Sequence, residues 1–281
     1  MSVPVAATIA EVRAAVADAR AQGQSVGFVP TMGALHAGHG ALVRAAAVRC
    51  GFVVASVFVN PTQFGPAEDF AKYPRTLDGD RLVVAEAGGH LVFGPSAAEM
   101  YPPGSLTHVD VDRLGDGLCG PRRPGHFRGV ATVVLKLLNI VRPDVAVFGA
   151  KDAQQCRVIR RMVRDLDVPV RIVVEPTVRE PDGLALSSRN RYLSPAERAV
   201  APGIYRALQA VRERAETEKD VALLAAGLRA ELAAIPGARV DYADLVDDED
   251  LQPIARLDRP ALVAVAVYFV ATRLIDNVTV G

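Results

Sequence analysis

Two histidines, His36 and His39, stand three residues apart in SVGFVPTMGALHAGHGALVRAAAVRC, residues 25–50. Imidazoles at that spacing among glycines can donate hydrogen bonds to phosphate oxygens that gain charge in a transition state. The flanking residues show what must position them. A short apolar run, residues 26–29, stops at Pro30, and beyond the loop Leu42, Val43, Ala46, Ala47 and Cys50 recur at helical spacing. The stretch predicts a strand, a tight loop and a helix reaching about Cys50. The first turn of such a helix carries unpaired N–H groups and the positive end of the macrodipole, which attract phosphate. Gly33, Gly38 and Gly40 would let a nucleotide lie close on the backbone. The bland alternative is a turn with two solvent-facing histidines; H-A-G-H at a strand-to-helix junction favours chemistry.

Other polar groups fall at comparable places. Residues 52–59, FVVASVFV, read as a strand buried on both faces, and a long polar loop follows to Thr76. Gln63 lies just past that strand, and its amide offers both a donor and an acceptor to a substrate hydroxyl. Asp78 and Asp80 open a short helix to Gly88, where acids complement the helix dipole. Arg123, His126 and Arg128 form a basic cluster before a helix over residues 130–141, and an anionic ligand and a solvated loop are both open readings there. Lys151 follows a strand at residues 145–148; it is one of four lysines in a chain whose basic charge is otherwise arginine. Asp152 beside it could cap the next helix or reach a ribose or metal, and Ser187, Ser188 and Arg189 could clamp a phosphate.

The elements alternate. A capping box at Thr8 and Glu11 starts a first helix ending near Gly23, and further strands are expected at residues 91–93 and 170–174. Strands alternating with helices imply a right-handed, mostly parallel Rossmann-like sheet with helices on both faces. His36 and His39, Gln63 and Lys151 each follow a strand, where doubly wound folds place ligands. Residues 101–123, rich in glycine and proline, read as an excursion. After Ser194 the pattern changes to helices at about residues 194–216 and 220–235 and strands at 240–246, 261–270 and 273–280. Two domains are expected: a Rossmann-like nucleotide-binding domain over 1–177 and a smaller α+β C-terminal domain over 178–281.

Composition excludes several classes. The 281 residues are 50% hydrophobic and 23% charged with a formal net charge of zero, so no global field recruits nucleic acid or an anionic membrane. No run of about 18 apolar residues spans a membrane, and the N-terminus lacks the apolar core of a signal peptide. Three widely spaced cysteines fit a reducing cytoplasm and give neither a disulfide frame nor a zinc site.

The motifs together resemble the pantoate–β-alanine ligase (pantothenate synthetase) family of the HxGH nucleotidyltransferases. T-M-G-A-L-H-A-G-H is similar to the family's signature, and N-P-T-Q-F-G, Y-P-R-T, R-P-G-H-F-R-G, G-A-K-D-A-Q-Q and L-S-S-R-N to its later motifs. V-D-Y, P-A-L-V-A-V-A and T-R-L-I-D-N-V resemble its C-terminal domain. The resemblance implies ATP-dependent condensation of pantoate with β-alanine to pantothenate, AMP and pyrophosphate through pantoyl adenylate. It makes His39, His36 and Lys151 catalytic. It implies ATP contacts from Met32, Gly33, Ala34, Leu35, His36, Ala37, Gly38, His39, Gly149, Ala150, Lys151, Asp152, Val178, Leu186, Ser187, Ser188 and Arg189. Gln63 and Gln155 would hold pantoate and β-alanine, with Asn60 and Arg123 as further contacts, and Asp80 would meet the Mg2+ on the nucleotide. A cytoplasmic homodimer is implied. Gly79, Ala150, Ala153, Leu186 and residues 268–270 depart from the family pattern. Another HxGH adenylyltransferase, or a nucleotide-binding module without turnover, is the alternative.

Overall fold

The computed structural model describes residues 2–65 and 70–281. Part of the polar loop after the second apolar strand, residues 66–69, lies outside the described residues. Contacts divide the chain into two compact units: Met1–Val111, Arg122–Ala150 and Val158–Pro176 form the first, and Asp112–Pro121, Lys151–Arg157 and Thr177–Gly281 the second.

The first unit is built on a six-stranded parallel sheet. Its strands are β1 (Val5–Ala6), β2 (Val26–Thr31), β3 (Phe52–Val57), β4 (Leu91–Phe93), β5 (Val145–Gly149) and β6 (Arg171–Glu175), in the order β1-β4-β3-β2-β5-β6. The chain builds outward from β2 through β3 to β4, then returns to add β5 and β6 on the other side. The switch point therefore lies between the carboxyl ends of β2 and β5, where open parallel sheets bind ligands.

Helices α1 (Ile9–Ala21), α2 (Ala37–Ala47), α3 (Leu77–Glu86), α4 (Ala97–Met100), α5 (His126–Val141) and α6 (Ala153–Asp165) connect the strands. The stripe Val12, Val16 and Ala19 of α1 is buried, and its Thr8–Glu11 capping box forms as expected. Val43, Ala46 and Cys50 from α2 and its end pack with Val84 and Ala87 from α3 onto Val29, Val53, Ala55 and Val92. Burial on both faces is why β3 reads as an unbroken apolar run.

Several expected boundaries move for local reasons. β2 continues through Pro30, because its pairing with β5 covers only Gly27 and Phe28 and the missing N–H interrupts no ladder there. α5 begins at His126 rather than residue 130, entered from Gly125 at φ 78°. β1 has two residues, too few to show a period, and pairs with β4 at Val5–Val92 and Ala6–Phe93.

The second unit carries an antiparallel sheet of β7 (Ala238–Asp247), β8 (Ala261–Phe269) and β9 (Thr272–Val280) in that order. Helices α7 (Pro195–Val200), α8 (Gly203–Arg214) and α9 (Val221–Ala233) complete it. Leu208, Leu224, Leu228 and Leu232 meet Val263, Val265 and Val267 in one core. The single helix expected over 194–216 is two, broken at Ala201–Pro202. There Gly203 lies so near Ile235 that an added Cβ would sit 2.9 Å from its Cγ1. The departure at residues 268–270 falls on the β8–β9 turn, where Val270 takes φ 48°, a region that disfavours a β-branched residue.

Candidate active site

In the first unit the H-A-G-H segment closes on itself. His36 is the N-cap of α2: its Nδ1 accepts from Gly38 N (3.1 Å), and His39 Nδ1 accepts from His36 N (3.3 Å). A neutral imidazole that accepts at Nδ1 carries its proton on Nε2. Both rings, 4.2 Å apart between centroids, are thereby fixed as Nε2–H donors.

The loop before them is held from inside. Asp80, 1% exposed, accepts from Leu35 N (2.7 Å) and Ala34 N (3.3 Å), and Thr76 Oγ1 donates to it (3.1 Å). Gly33 at φ 89° fits beneath: a Cβ there would stand 3.1 Å from Asp80 Oδ2 and 3.0 Å from Val57 Cγ1. The Asp80 carboxylate thus binds the loop backbone. The amides of Ala34, Leu35, His36 and Gly38 each have an acceptor within the protein, and Gly33 and Ala34 are buried. Gly40, expected as backbone open to a nucleotide, faces α3, where a Cβ would lie 3.7 Å from Val83 Cγ1.

Gln63 ends a 3-10 turn, Pro61–Gln63, just beyond β3. Its carbonyl oxygen takes His126 Nδ1 at 2.9 Å and Arg123 NH2 at 3.4 Å. Arg123 NH1 lies 3.0 Å from His126 Nε2; arginine only donates, so Nε2 accepts and Nδ1 carries the proton to Gln63. Arg128 pairs instead with Asp110 at 2.6 Å on the surface. Arg123 and His126 thus converge on one backbone carbonyl, and Arg128 lies in a surface pair. Asn60, expected as a further ligand contact, is 1% exposed and has its amide bound within the protein. Beneath the turn, Gly129 of α5 approaches so closely that a Cβ would fall 2.4 Å from Thr62 O and 2.7 Å from Gln63 Cα.

In the second unit Lys151 and Asp152 lie in the 3-10 turn Ala150–Asp152, directly after Gly149 at the end of β5, and Lys151 O accepts from Asn277 Nδ2 of β9 at 3.0 Å. Of the glutamine pair that follows, Gln154 is structural: Nε2 donates to Leu114 O and Gly117 O, and Oε1 accepts from Cys119 N. Gln155 remains half-buried.

Val178 and Leu186 face each other across a short hairpin, with Leu186 N donating to Val178 O at 2.9 Å and Gly183 at φ 95° in its turn. Ser187 caps the following 3-10 turn, Ser188–Tyr192, through Arg189 N at 3.2 Å. Lys151, Ser187, Asn190 and Asp276 line one cleft with Leu184 and Ile204. Sequence reasoning misses what anchors this hairpin: Arg179 makes a two-armed ion pair to Asp276 of β9 (2.6 and 2.9 Å), donates to Gly183 O and stacks 3.6 Å from the centre of the Tyr205 ring. The two partners are separated by nearly a hundred residues, so no local pattern marks them.

The family model for pantoate-beta-alanine ligase matches residues 4–279. The chain belongs to the pantoate–β-alanine ligase family. A pantothenate synthetase of Pseudomonas fluorescens is 55% identical over 273 residues, covering 96% of this chain and 95% of that one. One from Pseudomonas aeruginosa is 54% identical over 277 residues, with 97% of each chain covered. Among solved structures, the pantothenate synthetase of Thermus thermophilus superposes with a TM-score of 0.92 at 51% identity and 98% coverage of both chains. The Francisella tularensis pantoate-beta-alanine ligase, solved with β,γ-ATP and β-alanine, gives 0.79 at 34% identity, covering 99% of this chain and 97% of that one.

In this pantoate–β-alanine ligase family member the approach of Gly129 to Gln63 gives a direct expectation. Gly129→Ala drives a methyl into backbone that cannot rotate away, so about 1–3 kcal/mol of stability should be lost as the turn shifts. Denaturant unfolding measures this, and a midpoint equal to that of the unaltered protein contradicts the tight contact.

Proposed function

We propose that the chain is the AMP-forming ligase that joins pantoate to β-alanine. A pantoate carboxylate oxygen attacks the α-phosphorus of ATP; the new P–O bond gives pantoyl adenylate, and the bond to pyrophosphate breaks with its electron pair leaving on pyrophosphate. The uncharged amine of β-alanine then attacks the acyl carbon. The C–N bond forms, AMP departs, and the nitrogen loses a further proton as the amide forms.

The observation that carries this reading is the His36–His39 pair, locked as two Nε2–H donors after β2 in a chain of this family. Such donors suit the charge that grows on phosphate oxygens as pyrophosphate leaves, and being preorganised they need no reorientation during the step. His39 then acts by electrostatic stabilisation more than by proton transfer. Lys151, Ser187, Ser188 and Arg189 would contribute positive charge and hydroxyl donors to the same nucleotide, and Gln63 and Gln155 would hold pantoate, with β-alanine following it into that pocket.

ATP would enter as its magnesium complex. Among the described residues no three histidine, cysteine or carboxylate groups form a metal cage, which fits a cation carried on triphosphate oxygens. Residues 1–177 would serve as the nucleotide- and pantoate-binding domain and 178–281 as the smaller domain bearing the S-S-R-N loop. A cytoplasmic homodimer, which the family resemblance implies, completes the reading; the described cysteines are free thiols, and among the described residues no helix is long and apolar enough to cross a membrane.

Product analysis tests this. ATP, pantoate and β-alanine should yield pantothenate, AMP and pyrophosphate in equal amounts. A product that retains the AMP moiety would instead mark another adenylyltransferase.

A further inference from the structure

We propose that Asp80 is a positioning residue for His36 and His39, acting through the backbone of Ala34 and Leu35. Its carboxylate fixes where α2 starts and so where the two Nε2–H donors point. The inference rests on the proposed function and deepens it.

The segment 31–36 is held at both ends and bridged in the middle by one side chain. At the strand end Thr31 Oγ1 donates to Ser56 O at 2.5 Å and accepts from Gly33 N at 3.2 Å. At the other end His36 caps α2, whose Val43 and Ala46 are fully buried. Between them Gly33 at φ 89° and Ala34 at φ 53° are left-handed in succession, a conformation unfavourable for alanine. Such turns direct neighbouring N–H groups into one concavity, which binds an anion. The anion here is Asp80: Oδ1 accepts from Leu35 N at 2.7 Å and Oδ2 from Ala34 N at 3.3 Å. Among the described residues neither amide has another acceptor. Asp80 is 1% exposed, so solvent does not compete for these bonds.

The next peptide carries the effect to the chemistry. Leu35 precedes His36, whose N–H holds the His39 ring at Nδ1 and whose own Nδ1 accepts from Gly38 N. The bonds that orient both rings therefore start from a peptide whose place Asp80 sets. Thr76 Oγ1 donates to the same carboxylate at 3.1 Å, and Asp80 N donates to Thr76 O at 2.9 Å. This ties the histidine loop to the first turn of α3. Without the carboxylate two amides lose their acceptor, Ala34 loses what holds its left-handed turn, and His36 N shifts against the His39 ring.

Asp80→Asn keeps the volume but turns an amide NH2 toward one of the two backbone N–H groups. A misplacement of about 1 Å costs about 10²-fold, so single-turnover adenylate formation should slow by about ten- to a hundredfold. The KM for ATP and the magnesium concentration giving half-maximal rate should not change. His39→Asn already removes one donor that Asp80 aims, so the two rate losses combined should be less than multiplicative. Multiplicative losses, or a rate that excess magnesium restores, overturn the inference: the first makes Asp80 a support of the fold alone, the second a metal contact. If Asp80→Asn does not fold, Thr76→Val, at an exposed position, withdraws one donor from the carboxylate and takes its place in the same cycle. A smaller loss is then expected, and a wild-type rate overturns the inference. A wild-type rate in Asp80→Asn overturns the inference alone; turnover by the unaltered protein that does not depend on pantoate overturns the proposed function and the inference with it.

Discussion

Replacing His39 by asparagine should slow pantoyl-adenylate formation about 10²–10³-fold, the loss typical of removing one donor to a developing oxyanion. Asparagine keeps an acceptor near the Nδ1 position, so the bond from His36 N that closes the loop can persist, while the Nε2–H donor is gone. His39→Gln is the complement: it returns a donor near the Nε2 position but offers nothing at Nδ1. The expected pattern is a large loss in rate with little loss of ATP affinity for asparagine, and a smaller rate loss for glutamine. Single-turnover adenylate formation gives the rate. Calorimetry gives the affinity, since the chain has no tryptophan to report binding. Equal losses of rate and affinity in the asparagine variant would mean that His39 only holds nucleotide.

Asp276→Ala should destabilise the second unit by about 3–5 kcal/mol, because it leaves the Arg179 guanidinium largely buried without its counter-ion. The side chains of Arg179 and Asp276 are 16% and 4% exposed, so solvent screens the pair little. The same carboxylate anchors the hairpin that leads into Ser187, so the S-S-R-N loop should loosen as stability falls. Combining Asp276→Leu with Arg179→Met removes both charges and should recover much of the loss, since an apolar pair of similar size carries no unpaired charge. Chemical unfolding of the three proteins measures these differences. A single-variant loss below about 1 kcal/mol would place the pair among surface ion pairs.

What can be read directly from the sequence is what depends on near neighbours. The strand, loop and helix around His36 and His39 follow from an apolar run, glycines and a 3.6-residue period, all within 26 residues. Strand β3 and the position of Gln63 at its end are legible for the same reason. The uses of the polar side chains are not. Asp80 looks like an ordinary acid at a helix start, and only contacts 45 and 46 residues away show it gripping Leu35 and Ala34. That Arg123 and His126 bond the Gln63 carbonyl is hidden because the target is backbone and leaves no mark on side-chain patterns. Asn60 is named as a ligand contact by the resemblance alone, and its bonds to Gly129 and to Tyr101, 41 residues on, leave no local pattern. The break between α7 and α8 is hidden by a continuous helical period, although Pro202 and Gly203 stand in view.

The central claim is a reversible acyl-adenylate step. It is tested most directly by exchange of labelled pyrophosphate into ATP, with magnesium and pantoate present and β-alanine withheld. The expected result is exchange that requires pantoate and falls sharply in His39→Asn. No exchange from folded protein that binds ATP, or exchange indifferent to pantoate, would contradict it.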